Sequence, residues 1–111
     1  MALHEMNFEF KVDNPKSINK EWSHLGVVGS GDMEVLMEKK DFDGATKVKV
    51  VTPVTGFDKV WGMVLEKFVN ESSLGDVYLE INDNNATPII VSLRLRQALA
   101  EANNSETGGA N

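Results

Sequence analysis

Phe57, Val60, Trp61, Val64, Leu65 and Phe68 recur at i, i+3, i+4, i+7, i+8 and i+11, an apolar stripe that only an α-helix brings onto one face. On both sides of this segment the period changes to two. Phe8, Phe10 and Val12 alternate with Glu9 and Lys11, and Met33, Val35 and Met37 with Glu34, Leu36 and Glu38. Val48 and Val50 stand against Lys47 and Lys49, and Val77, Leu79 and Ile81 against Tyr78, Glu80 and Asn82. One-faced strands and a one-faced helix bury their apolar sides only against each other, so the chain predicts an α+β two-layer sandwich.

Turn residues set the order of elements. Asn14, Pro15, Lys16 and Ser17 end the first strand, and a polar connection through Trp22 and His24 leads to the second. Asp41, Phe42, Asp43 and Gly44 make a turn that predicts a hairpin with the strand from Thr46 to Val54. Thr55 with Asp58 resembles a capping box at the head of the helix. Near the end, Val91, Leu93 and Leu95 fit a strand, but Val91, Leu95, Ala98, Leu99 and Ala102 also fit a helical stripe. Pro88 at the first helical position after Thr87, and the alanine-rich continuation, favour the helix. The predicted order is β-β-β-α-β-α: a four-stranded antiparallel sheet with two helices on one face. Residues 1–102 read as one domain, and 103–111, polar and glycine-containing, as a disordered tail.

Composition narrows the chemistry. With no cysteine in 111 residues the chain has no disulfide, thiol nucleophile or thiolate metal site of its own, so any thiol chemistry must be brought in. Seventeen acidic against 11 basic residues give a net charge of -6, which argues against a nucleic-acid partner. No apolar run approaches the roughly 20 residues of a membrane span, and the first residues lack a signal-peptide pattern, so a cytoplasmic protein without direct membrane contact is expected.

The remaining chemical handle is Ser30, held between Gly29 and Gly31 in the run Val28-Gly29-Ser30-Gly31-Asp32. Glycine on either side permits a tight turn in which the hydroxyl stands clear. A nucleophile elbow is excluded, because its glycine positions two before and two after the serine are Val28 and Asp32. His4 and His24 are the only histidines; His4 falls in a mobile start and His24, near the serine in sequence, has no orienting third group, so no catalytic residue is assigned. Neither the Walker pattern nor GxGxxG is present, and Asp83, Asn84 and Asn85 lack calcium-loop spacing, so no metal site is expected. Arg94 and Arg96 read as solvated surface, or in the minority view as an anion or partner contact. The residues alone leave two readings of Ser30: a serine in a purely structural β-bulge or turn of a small interaction module, or an exposed attachment point.

The segments Val28 to Leu36, the helix around Trp61, Leu79-Glu80-Ile81-Asn82-Asp83, and Ala86-Thr87-Pro88 followed by Leu93-Arg94-Leu95 resemble the acyl carrier (delta) subunits of bacterial malonate decarboxylase over roughly Asn7 to Ala102. A more distant likeness is to the acyl carrier (gamma) subunit of citrate lyase. The resemblance implies an acyl carrier domain over 1–102, in which Ser30 bears 2'-(5''-phosphoribosyl)-3'-dephospho-CoA through a phosphodiester and Gly29 and Gly31 form the turn that exposes it. It implies a non-catalytic, cytoplasmic subunit whose bound thiol carries acetyl and malonyl as thioesters while malonate becomes acetate and CO2. The implied partners are an acetyl/malonyl carrier-transferase subunit, decarboxylase subunits, the prosthetic-group transferase and a malonyl transferase. Asp32 and Glu34 beside the serine are left either as contacts for basic partner residues or as a solvated strand edge.

Overall fold

The computed structural model describes residues 3–26 and 29–104. Strands β1 (His4–Phe10), β2 (Trp22–Gly26), β3 (Asp32–Lys39) and β4 (Thr46–Thr52) precede helix α1 (Asp58–Ser72), strand β5 (Val77–Asn84) and helix α2 (Pro88–Ala102). The alternating residues behave as their period demands. Met33, Val35, Met37, Val50, Val77, Leu79 and Ile81 are fully buried, and Val48 nearly so. Trp61, Leu65 and Phe68 of α1 and Val91, Leu95 and Ala98 of α2 join them in one core. The α+β sandwich is therefore present, with both predicted helices.

The sheet differs from the predicted one. It has five strands in the order β1-β4-β5-β3-β2, and it is mixed, because β4 and β5 run parallel while every other neighbouring pair is antiparallel. The extra strand, β2, falls in the segment read as a polar connection. It is an edge strand in which Ser23 is buried while Trp22 and His24 are exposed, so no apolar alternation marks it. The parallel pair follows from the 15-residue helix between β4 and β5, a crossover long enough to return the chain in the same direction.

The predicted hairpin between β3 and β4 is also absent, since β5 lies between them. The turn at Asp41 to Gly44 exists, with Asp43 and Gly44 at positive φ, but it wraps the start of β5. Asp76 Oδ1 accepts hydrogen bonds from the Phe42 and Gly44 amides (3.0 and 2.8 Å), the Lys40 amide donates to the Asp76 carbonyl, and the Asp76 amide donates to the Ala45 carbonyl. A side chain 32 residues away thus supplies the acceptor that a tight hairpin would have found in its own backbone.

Two helix starts separate in the same way. Thr87 caps α2 by accepting from the Ile90 amide, with Pro88 at the first helical position. The N-cap of α1 is Phe57, with no side-chain cap, and Asp58 instead meets His4 Nε2 at 3.1 Å. His4 is accordingly part of β1 rather than of a loose start. At the other end Asn103 accepts from the Asn19 amide through Oδ1, so the predicted tail is ordered there. Residues 105–111, where the rest of that expectation falls, lie outside the described residues.

Candidate functional site

Ser30 sits in the connection between β2 and β3. The Asp32 amide donates to the Gly29 carbonyl (3.0 Å) and Gly31 has φ +76°, which makes Gly29 to Asp32 a β-turn with the glycine where a type II turn requires positive φ. The Gly31 amide donates to the Asn84 carbonyl (2.8 Å), fastening the turn to the end of β5. Ser30 is exposed, and among the described residues its hydroxyl has no hydrogen-bond partner. A Cβ placed on Gly29 or Gly31 meets no described atom within 4 Å, so the serine projects from an open ridge.

The glycine that the hairpin most depends on is Gly26, at the end of β2. Its φ is +90°, and a Cβ there would fall 2.5 Å from the Met33 carbonyl oxygen. Only glycine lets the two backbones approach this closely beneath the turn.

Charge around Ser30 is paired internally. Arg94 reaches from α2 to Asp32 in a two-pronged contact, Nε to Oδ1 at 2.8 Å and Nη2 to Oδ2 at 2.7 Å. The Arg94 hydrogen bonds, aided by the Met33 amide, hold the Asp32 carboxyl at about 2, well below its ordinary 3.8. Arg94 is correspondingly held further above its usual value by Asp32. Glu34 accepts from Asn82 Nδ2 (3.0 Å) and meets His24 Nε2 at 2.7 Å. The two carboxylates that follow the serine are thus paired within the chain, and β3, which carries them, lies inside the sheet and not at its edge.

Beside this turn, between the N-termini of α1 and α2, lies a cavity of about 340 Å³ bounded by Thr52, Trp61, Val64, Asp83 and Val91 among others. Asp83 is buried and accepts from the Thr52 hydroxyl (2.8 Å) and the Asn85 and Ala86 amides. No cluster of three or more potential metal ligands occurs among the described residues. Nor is any of their helices long and apolar enough to cross a membrane.

The profile of the family described as "Malonate decarboxylase delta subunit (MdcD)" matches residues 20–102, the stretch from just before β2 to the end of α2. The chain belongs to the malonate decarboxylase acyl carrier family. It is 54% identical over 104 residues to the malonate decarboxylase acyl carrier protein of Malonomonas rubra, covering 94% of this chain and 93% of that one. To the protein of the same name from Xanthomonas campestris pv. campestris it is 39% identical over 97 residues, covering 87% and 92%. Among solved structures, a chain in the crystal structure of a Pseudomonas malonate decarboxylase hetero-tetramer in complex with malonate superposes with a TM-score of 0.79 at 31% identity, covering 89% of this chain and 98% of that chain.

In this acyl carrier subunit the serine and its flanking glycines are adjacent in sequence, but what holds their turn is not. Arg94 lies 62 residues from Asp32, and nothing local announces the pair. Nothing near Gly26 in the sequence marks its role, because the carbonyl that excludes a side chain belongs to the facing strand.

Proposed function

We propose that Ser30 is the attachment point of the carrier arm, a 2'-(5''-phosphoribosyl)-3'-dephospho-CoA group joined through a phosphodiester. The carrying observation is an exposed hydroxyl, unpartnered among the described residues, at the apex of a turn with open flanks. The residues fit an anionic group. Asp32, which by itself would repel a phosphodiester, is neutralised by Arg94, and His24 and Asn82 engage Glu34.

When bound, the group supplies the thiol that a chain without cysteine lacks, so that acetyl and malonyl can be carried as thioesters. The protein's own contribution is presentation. The turn holds the Ser30 Oγ outward, Gly31 supplies the positive φ the turn requires, Gly26 admits the close approach of the β3 backbone beneath it, and the Asp32–Arg94 pair ties β3 to α2 so that the turn moves with the fold as one body. Ser30 needs no base within the chain, because the transferase that installs the group supplies one. In this reading the subunit is cytoplasmic and non-catalytic. It meets in turn the prosthetic-group transferase and malonyl transferase, the acetyl/malonyl carrier-transferase subunit and the decarboxylase subunits, raising the local concentration of acyl group at each.

The test is intact-mass analysis of protein made in its native host. The mass should exceed that of the sequence by the arm, the excess should disappear in Ser30→Ala, and Ser30→Ala should fold normally while leaving the reconstituted complex inactive. An arm that persists in Ser30→Ala refutes the assignment.

A further inference from the structure

The cavity beside the serine turn is left by an incomplete match between the helices. Of the α1 stripe, Trp61, Leu65 and Phe68 are buried, but Phe57 and Val60 remain 52% and 39% exposed at the cavity's rim. Its position relative to Ser30 is fixed by the sheet. The Gly31 amide is bonded to the Asn84 carbonyl, and the next residue, Asn85, lines the cavity. From Ser30 to the rim is two chain steps and one cross-strand step, on the order of 10 Å.

We propose that this cavity is the resting site for the thiol end of the arm, receiving its cysteamine segment with an acetyl group and excluding a malonyl group. The inference rests on the reading of Ser30 as the attachment point. A nucleotide-bearing arm spans the distance with length to spare. A volume of about 340 Å³ is too small for the whole arm and suited to its last few heavy atoms. Trp61, Val64 and Val91 offer an apolar wall to a methyl and two methylenes. The polar part of the lining selects between cargoes. Asp83 already accepts three hydrogen bonds and has no donor to give, and the Thr52 hydroxyl proton is committed to it. A malonyl carboxylate would therefore leave water for a site whose buried carboxylate repels it, the remaining side-chain donors being the Trp61 indole and the exposed Asn85 and Thr87 at the rim. Acetyl in transit is thereby shielded from water, whereas malonyl stays outside, where a decarboxylase can take it.

The experiment uses the full chain bearing its arm in a Trp22→Phe background, which leaves Trp61 as the sole tryptophan reporter. Bare, acetyl and malonyl forms are compared by Trp61 emission, and the spontaneous hydrolysis of the acetyl form is timed against acetyl-CoA in the same buffer. Acetylation should shift the emission and slow hydrolysis about fivefold, the factor expected when a methyl and two methylenes leave water and part of the gain is lost to frozen rotors. Malonyl should leave the emission of the bare form unchanged. Val60→Glu, at a half-exposed rim position, should return both readouts to their free values. Absence of the arm's mass on Ser30 overturns the attachment reading and this one with it. With the arm present, hydrolysis equal to that of acetyl-CoA and an unmoved Trp61 overturn the cavity assignment alone. Slow hydrolysis that survives Val60→Glu also overturns it, and an equal emission shift on malonylation overturns the selectivity.

Discussion

Replacing Gly26 by alanine probes the close backbone approach on which the serine turn is built. Two costs add at this position. A φ of +90° is one that an L-residue adopts at a cost of about 1–2 kcal/mol. The new methyl would also sit 2.5 Å from the Met33 carbonyl oxygen, a backbone atom that no rotamer change can remove, and relieving the overlap costs about 1–3 kcal/mol. The sum is about 2–5 kcal/mol, centred near 3.5, which for a domain of this size lowers the melting temperature by about 10–20 °C. Gly31→Ala is the matched control, because φ is again positive at +76° but a Cβ meets nothing within 4 Å. It should cost about 1–2 kcal/mol. Urea denaturation followed by far-UV circular dichroism gives both values on one scale. A Gly26→Ala midpoint within error of wild type, or a Gly31→Ala variant less stable than Gly26→Ala, would refute the role given to Gly26.

Trp61→Ala removes a buried ring that joins the core to the cavity wall and should destabilise the fold by about 3–5 kcal/mol, so a denaturation midpoint near wild type would show that the ring is not packed as described. Asp32 gives a pH signature. Its folded value of about 2 lies below the ordinary 3.8, so the stabilisation is fully present above pH 3.8 and is lost as pH falls toward 2. Stability measured across that window should fall in the wild type and fall less steeply in Arg94→Met, and parallel profiles would show that the pair does not cause the shift.

How much of this was legible in the sequence depends on how far each signal had to travel. The inward residues of β1, β3, β4 and β5 and most of both helical stripes follow from periods of 2 and 3.6 within a single segment, with Phe57 and Val60 of the first stripe left exposed instead. Strand order is a different kind of information. The turn from Asp41 to Gly44 has hairpin composition, and only Asp76, far along the chain, shows that β5 passes through the space a hairpin partner would occupy. β2 was lost because an edge strand needs no apolar alternation. The site divides along the same line. Ser30, Gly29 and Gly31 are adjacent and stand out together in the sequence, whereas Arg94 and Gly26 act through atoms of other elements.

The place of β5 also decides when the serine turn can exist. Without it, β1 with β4 and β2 with β3 are two separate antiparallel ribbons, each too small to be independently stable in water. Among the described residues β5 is the last strand and the only one that touches both ribbons, so a growing polypeptide holds two unjoined halves until residues 77–84 have been made. The hydrogen bond from the Gly31 amide to the Asn84 carbonyl is available only then. Under the proposal that Ser30 bears the arm, the modifying enzyme meets a finished turn only in chains that already contain β5.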